Sequence, residues 1–236
     1  LRGLMQRFLF KALEVSGGRN GWTTYHLGQL FSERTEANRL GLPLLSITAD
    51  RGIIRRDEIE RRDSSSDDKR AYKRIAPGDI GYNTMRMWQG VSALSSLEGI
   101  ISPAYTVCVP NQKIVGAFAA YLFKYRPVIH LFHRYSQGLV DDTLALKFPN
   151  FAQIRLSIPA VSEQTRISKV LRVADNEIRL LRTYLAQLLT EKKLLLRILL
   201  TGEHRIGGVN SRVTVPLVKS AFNHRVSTRV GEGRRS

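Results

Sequence analysis

The sequence predicts an α+β protein in which a mixed-sheet domain is followed by one long coiled-coil helix. Three observations predict this class. Short apolar runs alternate with Gly, Pro and Asp turn signals as far as Ile158, a pattern typical of strands. Apolar residues between Val115 and Tyr125 recur at helical spacing, and a strict heptad pattern runs from Ile167 to Leu199. The 236 residues suffice for a domain of about 160 residues and an extended helix.

The first predicted element is an amphipathic helical segment. Leu4, Met5, Phe8 and Leu9 share one helical face, and a Gly-rich break between residues 17 and 21 follows them. The apolar pattern is already under way where the chain opens. We therefore expect residues 1–16 to be the last turns of a longer helix.

Residues 17–160 form the predicted domain. The helical segment at Val115–Tyr125 is expected to pack on its sheet. The single cysteine, Cys108, lies in an apolar strand pattern, so we expect a buried side chain rather than a nucleophile or a disulfide. The predicted strands are Leu42–Ile47, Ile53–Ile54, Ile75–Tyr82 with the turn Pro77–Asp79 inside it, Ile100–Val109, and Phe151–Ile158, where Ile154, Leu156 and Ile158 share one face.

A charged segment interrupts the apolar runs of this domain. Residues 50–74 contain nine Lys or Arg and seven acidic residues around the run Ser64–Ser66. Such a composition excludes a core position. Taken alone, the segment predicts a solvated loop or strand pair with interspersed charges.

The long helix is predicted from a period of 3.5 residues held for more than four heptads. Ser162 is the expected N-cap, Gly202 follows the last apolar residue, and the rise of about 1.5 Å per residue gives a length near 60 Å. The alternative, an amphipathic helix lying on its own domain, would usually show a 3.6-residue period. A heptad seam instead needs a second helix, with Lys192 its single charged member. The predicted helix–helix interface is Ile167, Leu171, Ala174, Ile178, Leu181, Leu185, Leu188, Leu195 and Leu199.

The net charge of +17 points to a polyanionic partner. Residues 204–236 form a basic tail that holds +6 of this charge, seven Lys or Arg against one acid, and we expect it to be disordered. No apolar run approaches a membrane span of about 18 residues, and no secretion signal is evident. A cytoplasmic location is the default expectation.

The recurring catalytic motifs are absent from the sequence. We find no phosphate-binding Gly-rich loop, no nucleophile elbow and no zinc-protease motif. His130 and His133 have no neighbouring Cys or carboxylate cluster, and the adjacent Asp141 and Asp142 would point to different sides of an element. The sequence therefore predicts a protein that is not an enzyme, without a metal site or a cofactor of its own.

Several motifs together resemble the specificity subunit of type I restriction-modification systems. The start Arg2–Gln6 is similar to the end of that family's central helix, and Trp22 and Leu27–Gly28 are similar to the opening of a recognition domain. Four further stretches carry the resemblance: Pro77–Asn83 (PGDIGYN), Gly99–Tyr105 (GIISPAY), Ile158–Ile167 (IPAVSEQTRI) and Leu199–Gly202 (LLTG).

The resemblance implies a division into four parts. Residues 1–16 would be the end of a spacer helix, 17–160 a DNA target-recognition domain, 161–203 the long conserved coiled-coil helix and 204–236 the basic tail. Full-length members have two recognition domains and two long antiparallel helices. This chain would therefore be either a half-length subunit that pairs with a second copy or the C-terminal half of a divided one.

The resemblance also implies partners and a function. Such a chain would read one part of a bipartite target in double-stranded DNA and would scaffold methyltransferase subunits and ATP-dependent restriction subunits. S-adenosylmethionine, ATP and magnesium would belong to those partners, and no cofactor to this chain. The alternative is a non-catalytic coiled-coil scaffold that binds nucleic acid nonspecifically.

The candidate DNA-contact residues have side chains suited to phosphates or base edges. The first group lies in the charged segment, the second follows the turn at Gly78–Asp79, and the third lies in a polar break between apolar runs. Gly78, Asp79, Ser102 and Pro103 are expected to form turns. The groups are Arg51, Arg55, Arg56, Lys69, Arg70, Lys73 and Arg74; then Asn83, Arg86 and Gln89; then Arg134, Tyr135 and Gln137.

Overall fold

The computed structural model describes residues 1–13, 21–48, 51–59, 68–140 and 143–201. The chain divides into two units, residues 1–185 and 186–236. The described part of the second unit is helical as far as Thr201. The predicted basic tail and the pair Asp141 and Asp142 lie outside the described residues.

Helix α1 (Arg2–Leu9) opens the first unit and continues as a 3-10 turn, Phe10–Leu13. Met5 and Leu9 are buried, and Leu4 and Phe8 pack against the same core. The predicted amphipathic helix at the N-terminus is therefore confirmed.

In the ranges given above ten strands follow α1, and the named pairs are all antiparallel. Among the described residues the one parallel bridge joins Leu44 to Ile100. A four-stranded sheet has the order β2-β9-β6-β7, and two-stranded sheets pair β1 with β10, β3 with β4, and β5 with β8. The strands are β1 (Thr23–His26), β2 (Phe31–Glu33), β3 (Leu45–Thr48), β4 (Gly52–Arg55), β5 (Lys73–Ile75), β6 (Ile80–Asn83), β7 (Ser92–Leu94), β8 (Gly99–Ile101), β9 (Tyr105–Pro110) and β10 (Arg155–Ile158).

The part of the chain that the structure describes contains four α-helices after α1, and the α+β class is confirmed. The predicted helix near Val115 is α2 (Gly116–Leu122), and α3 (Arg126–Tyr135) follows it directly. The short α4 (Phe148–Ala152) precedes β10, and α5 (Val161–Thr201) is the predicted long helix.

The structure corrects several predicted boundaries. The predicted turns are confirmed: the turn at Pro77–Asp79 separates β5 from β6, and the turn that contains Ser102 and Pro103 divides the predicted strand Ile100–Val109 between β8 and β9. Other predicted boundaries differ from the structure. Phe151 lies in α4 rather than in a strand, and Leu42 precedes β3. Ser162 is not the N-cap of α5, since the helix begins one residue earlier.

The centre of the main core is aromatic. Phe123 contacts Phe132 and Phe151 at ring-centroid distances of 5.4 and 5.6 Å. Tyr82 lies 5.5 Å from Phe151, and its hydroxyl donates to the Leu146 carbonyl at 3.0 Å. Burial raises the pKa of Tyr82, and burial likewise raises that of the Cys108 thiol, which is fully buried as predicted. This core joins α2, α3 and α4 to the four-stranded sheet.

The start of α5 is fixed to the domain by Gln164. The side-chain amide is fully buried, and its oxygen accepts from the Val115 N–H at 2.8 Å. Its nitrogen donates to the carbonyls of Lys113 and Pro159, both at 2.9 Å. One side chain thus satisfies three backbone groups and ties α5 to the loop before α2.

We expect Gln164→Leu to lower the free energy of unfolding by about 2 kcal/mol, because leucine leaves these backbone groups without partners in the interior. Urea denaturation of the full chain measures the change. Gln112→Leu is the matched control, since Gln112 is an exposed turn residue of the same type. Equal urea midpoints for Gln164→Leu and Gln112→Leu would contradict the conclusion that the Gln164 amide fixes the start of α5.

Candidate nucleic-acid interface

The cations of the charged segment are largely engaged in ion pairs. Arg55 lies 3.1 Å from Asp57, and Arg70 lies 2.8 Å from Asp68. Two others reach acids distant in sequence. Lys73 lies 3.2 Å from Glu33, and Arg74 lies 3.0 Å from Glu36 and 2.6 Å from Glu98. Partly buried pairing therefore gives Lys73 and Arg74 a structural role in β5, whatever else they contact.

Three of the predicted residues lie together at one groove. Arg55, Arg56 and Lys69 line a depression of about 410 Å³. Arg55 ends β4, and Arg56 begins the 3-10 turn Arg56–Glu58. Arg51 is exposed in the turn between β3 and β4. The remaining lining residues are Pro43, Leu44, Asp57 and Ile59.

An ion-pair network beneath this segment was not predicted. Arg34 donates to both carboxylate oxygens of Asp79, at 2.7 and 3.0 Å, and Asp79 also accepts the Ala76 N–H at 2.9 Å. Glu36 contacts both Arg74 and Arg39, and these guanidinium groups hold its pKa below the usual range. The prediction that Asp79 is a turn residue is confirmed, and its pairing with Arg34 is an additional finding.

The second predicted group lies on the turn between β6 and β7. The Asn83 side-chain oxygen accepts the Met85 N–H at 3.0 Å, so it helps to form the turn. Arg86 and Gln89 are exposed. The indole of Trp88 donates to the Met85 carbonyl at 2.9 Å, and its ring lies 5.9 Å from that of His133 on α3. The turn is thereby packed against α3.

Arg134 and Tyr135 of the third group lie in a helix rather than in a polar break, which corrects the sequence interpretation. Arg134 and Tyr135 are the last residues of α3, whose buried face contains Val128 and Phe132. Gln137 follows the helix and pairs through its backbone with Ala145. The helix ends at a groove of about 560 Å³, which we call the α3 groove, lined by Leu13, Pro127, His130, Leu131, Arg134, Tyr135, Ile154 and Arg155.

The predicted helix seam has two different environments. Ile167 and Leu171 are buried in the core of their own domain, so they are not open to a second helix. Leu181 and Leu185 are more than half exposed, and Leu188, Leu195 and Leu199 are exposed as well. No helix in the described part of the chain is both long and apolar enough to cross a membrane.

Comparison with solved structures identifies the fold of the chain, whereas comparison of sequences finds no match. No family model matches the sequence, and no curated protein matches it. The HsdS subunit from Thermoanaerobacter tengcongensis is similar in structure with a TM-score of 0.51 and 16% identity, over 78% of this chain and 44% of the other. A chain from a structural study of complex assembly and conformational transition in a type I restriction-modification system has a TM-score of 0.56 and 17% identity, over 82% and 48%.

These comparisons place the chain in a structural class in which an α+β domain continues into a long helix. Within that class, the chain has the fold of a type I restriction-modification specificity subunit. It spans less than half the length of either solved chain.

Proposed function

We propose that this chain is a DNA-recognition subunit of a type I restriction-modification complex and reads one part of a bipartite target. The observation that carries the proposal is the shared fold, an α+β domain continued by a helix with an exposed leucine seam. A second recognition domain, on another copy or another chain, would read the other part. The seam would join the two chains and set the separation of the two DNA segments.

Within the domain, the exposed turn at Arg86 and Gln89 offers the head groups that pair with guanine and adenine edges in the major groove. The groove at Arg55, Arg56 and Lys69 offers positive charge for phosphates. The other candidate residues keep their predicted roles as DNA contacts.

Catalysis would belong to other chains of the complex. Methyltransferase subunits would bind S-adenosylmethionine, and restriction subunits would bind ATP and magnesium. This chain would scaffold both and would have no cofactor and no catalytic residue of its own.

Selection from a random pool of duplexes tests the proposal. The full chain, alone and with methyltransferase subunits, is expected to enrich duplexes that share a defined set of bases. A coiled-coil scaffold that binds nucleic acid nonspecifically would enrich none. Cleavage of DNA by the isolated chain with magnesium would contradict the assignment of catalysis to partner subunits.

Replacing both Arg55 and Arg56 by glutamine is expected to weaken duplex binding, because it removes two positive charges. The slope of log K against log salt should fall by up to about two, because each phosphate contact releases about 0.9 of a counterion. Arg7→Gln, on the exposed side of α1, is the control. If the double variant has the same slope as the native chain, the charged segment is not part of the DNA interface.

A further inference from the structure

The part of the domain that follows the charged segment has a surplus of positive charge. Residues 80–160 contain seven Lys or Arg and three acids. Two of these acids, Asp141 and Asp142, lie outside the described residues, and Glu98 is paired with Arg74. By contrast, the charged segment contains Arg55, Arg70, Lys73 and Arg74 in ion pairs. Two cations of this surplus, Arg126 and Arg134, lie on α3.

The α3 groove concentrates part of that surplus. His130 and Arg134 are one helical turn apart on α3, and Arg155 reaches the same groove from β10. No acidic residue is among the described residues that line it. The guanidinium groups of Arg134 and Arg155 form no ion pair or hydrogen bond with any residue that the structure describes. Leu13, Pro127, Leu131 and Ile154 supply the apolar part of the lining.

This set of groups suits a phosphodiester backbone. Two guanidinium forks can each donate to two phosphate oxygens, and the imidazole and the Tyr135 hydroxyl add further donors. Apolar lining lowers the local dielectric and strengthens the attraction between each cation and a phosphate. None of the described residues that line the groove is Asn or Gln, the side chains that pair with adenine edges. The lining therefore consists of cations, hydrogen-bond donors and apolar side chains, and this combination suits phosphate oxygens.

The position of α3 supports the same partner. The helix contacts the turn that contains Arg86 and Gln89 through the neighbouring rings of His133 and Trp88. The α3 groove and the candidate base-reading turn are therefore held by one short helix of ten residues.

We infer that the α3 groove binds the phosphate backbone of the DNA duplex, with Arg134 and Arg155 as its main contacts and His130 and Tyr135 as supporting donors. The inference rests on the proposed function and deepens it. It adds a second set of phosphate contacts on a surface separate from the charged segment. DNA held there would be fixed in register while the turn at Arg86 and Gln89 contacts the bases.

The test is the double variant Arg134→Ala and Arg155→Ala in the full chain. The slope of log K against log salt is expected to fall by about two. The order of preference among selected duplexes is expected to stay the same. Both side chains are exposed, so the thermal midpoint should remain that of the native chain. Arg166→Ala is the control, because Arg166 is exposed on the first turns of α5. The double variant Arg134→Lys and Arg155→Lys should keep the native slope because it keeps both charges.

The outcomes separate the two proposals. An unchanged slope, with native sequence preference, would overturn the α3 groove as a phosphate site and leave the proposed function standing. A lowered slope in a chain that enriches no sequence would support the phosphate site and overturn specific recognition. Loss of methyltransferase binding with an unchanged DNA slope would assign the groove to a protein contact and overturn the inference.

Discussion

Replacing Leu181 and Leu185 by glutamate is expected to abolish assembly through α5 while the domain stays folded. Both side chains are more than half exposed, at 59% and 56%, so charged replacements leave the core of the domain intact. When two copies of α5 pair, the two glutamates on each helix would place four charges in the apolar seam. Burial of charges without partners is strongly unfavourable. Sedimentation of the native and variant chains measures the change in assembly.

Thr183→Glu is the control for this pair, because Thr183 lies between them on an exposed side of α5 outside the seam. It is expected to keep the native assembly state, and all three chains should have the same thermal midpoint. The same oligomer for the native chain and the double variant would exclude the seam as an interface between helices.

Removal of the Asp79 carboxylate is expected to cause the largest loss of stability. The side chain is nearly fully buried, and it accepts two hydrogen bonds from Arg34 and one from the Ala76 N–H. Asp79→Ala leaves the partly buried Arg34 without its partner, so the free energy of unfolding should fall by about 3 kcal/mol. In a unit of this size the thermal midpoint would fall by roughly 6 to 12 °C.

Two further variants define this effect. Asp57→Ala breaks the ion pair between Asp57 and Arg55, which is similar in length to the pair between Asp79 and Arg34. Both Asp57 and Arg55 are exposed, so the thermal midpoint should hardly change. Asp79→Asn keeps the shape and one acceptor oxygen, and its midpoint should lie between those of Asp79→Ala and the native chain. Equal midpoints for Asp79→Ala and Asp57→Ala would show that burial does not strengthen the Arg34 pair.

Patterns that depend on near neighbours in sequence predicted the fold well. The heptad repeat of α5 and the turn at Gly78 are local, and Gly78 has a φ of +92°, which glycine adopts without strain. Helix α3 was missed because Pro127 stands at its start and polar residues interrupt its apolar face. The signal that could have found it is Pro at the first helical turn together with the spacing of Val128, Leu131, Phe132 and Tyr135.

The candidate site was harder to predict because charge compensation is a property of the folded chain. Lys73 and Arg74 pair with Glu33, Glu36 and Glu98, which are 24 to 40 residues away in sequence. A count of cations in the charged segment therefore does not show which of them are paired with acids in the folded chain. Arg155 is not among the predicted contacts because it is an isolated cation in an apolar strand, and only the fold brings β10 and α3 to one groove with Arg134.

The burial of Ile167 and Leu171 limits where this domain could be joined to the helix of another protein in a hybrid chain. These two residues lie beyond the last strand, yet they fill the interior of the domain. A hybrid joined at the strand-to-helix boundary would import foreign side chains into that interior. A domain that is transplanted whole therefore extends through Leu171, and the connecting part of the helix begins after it.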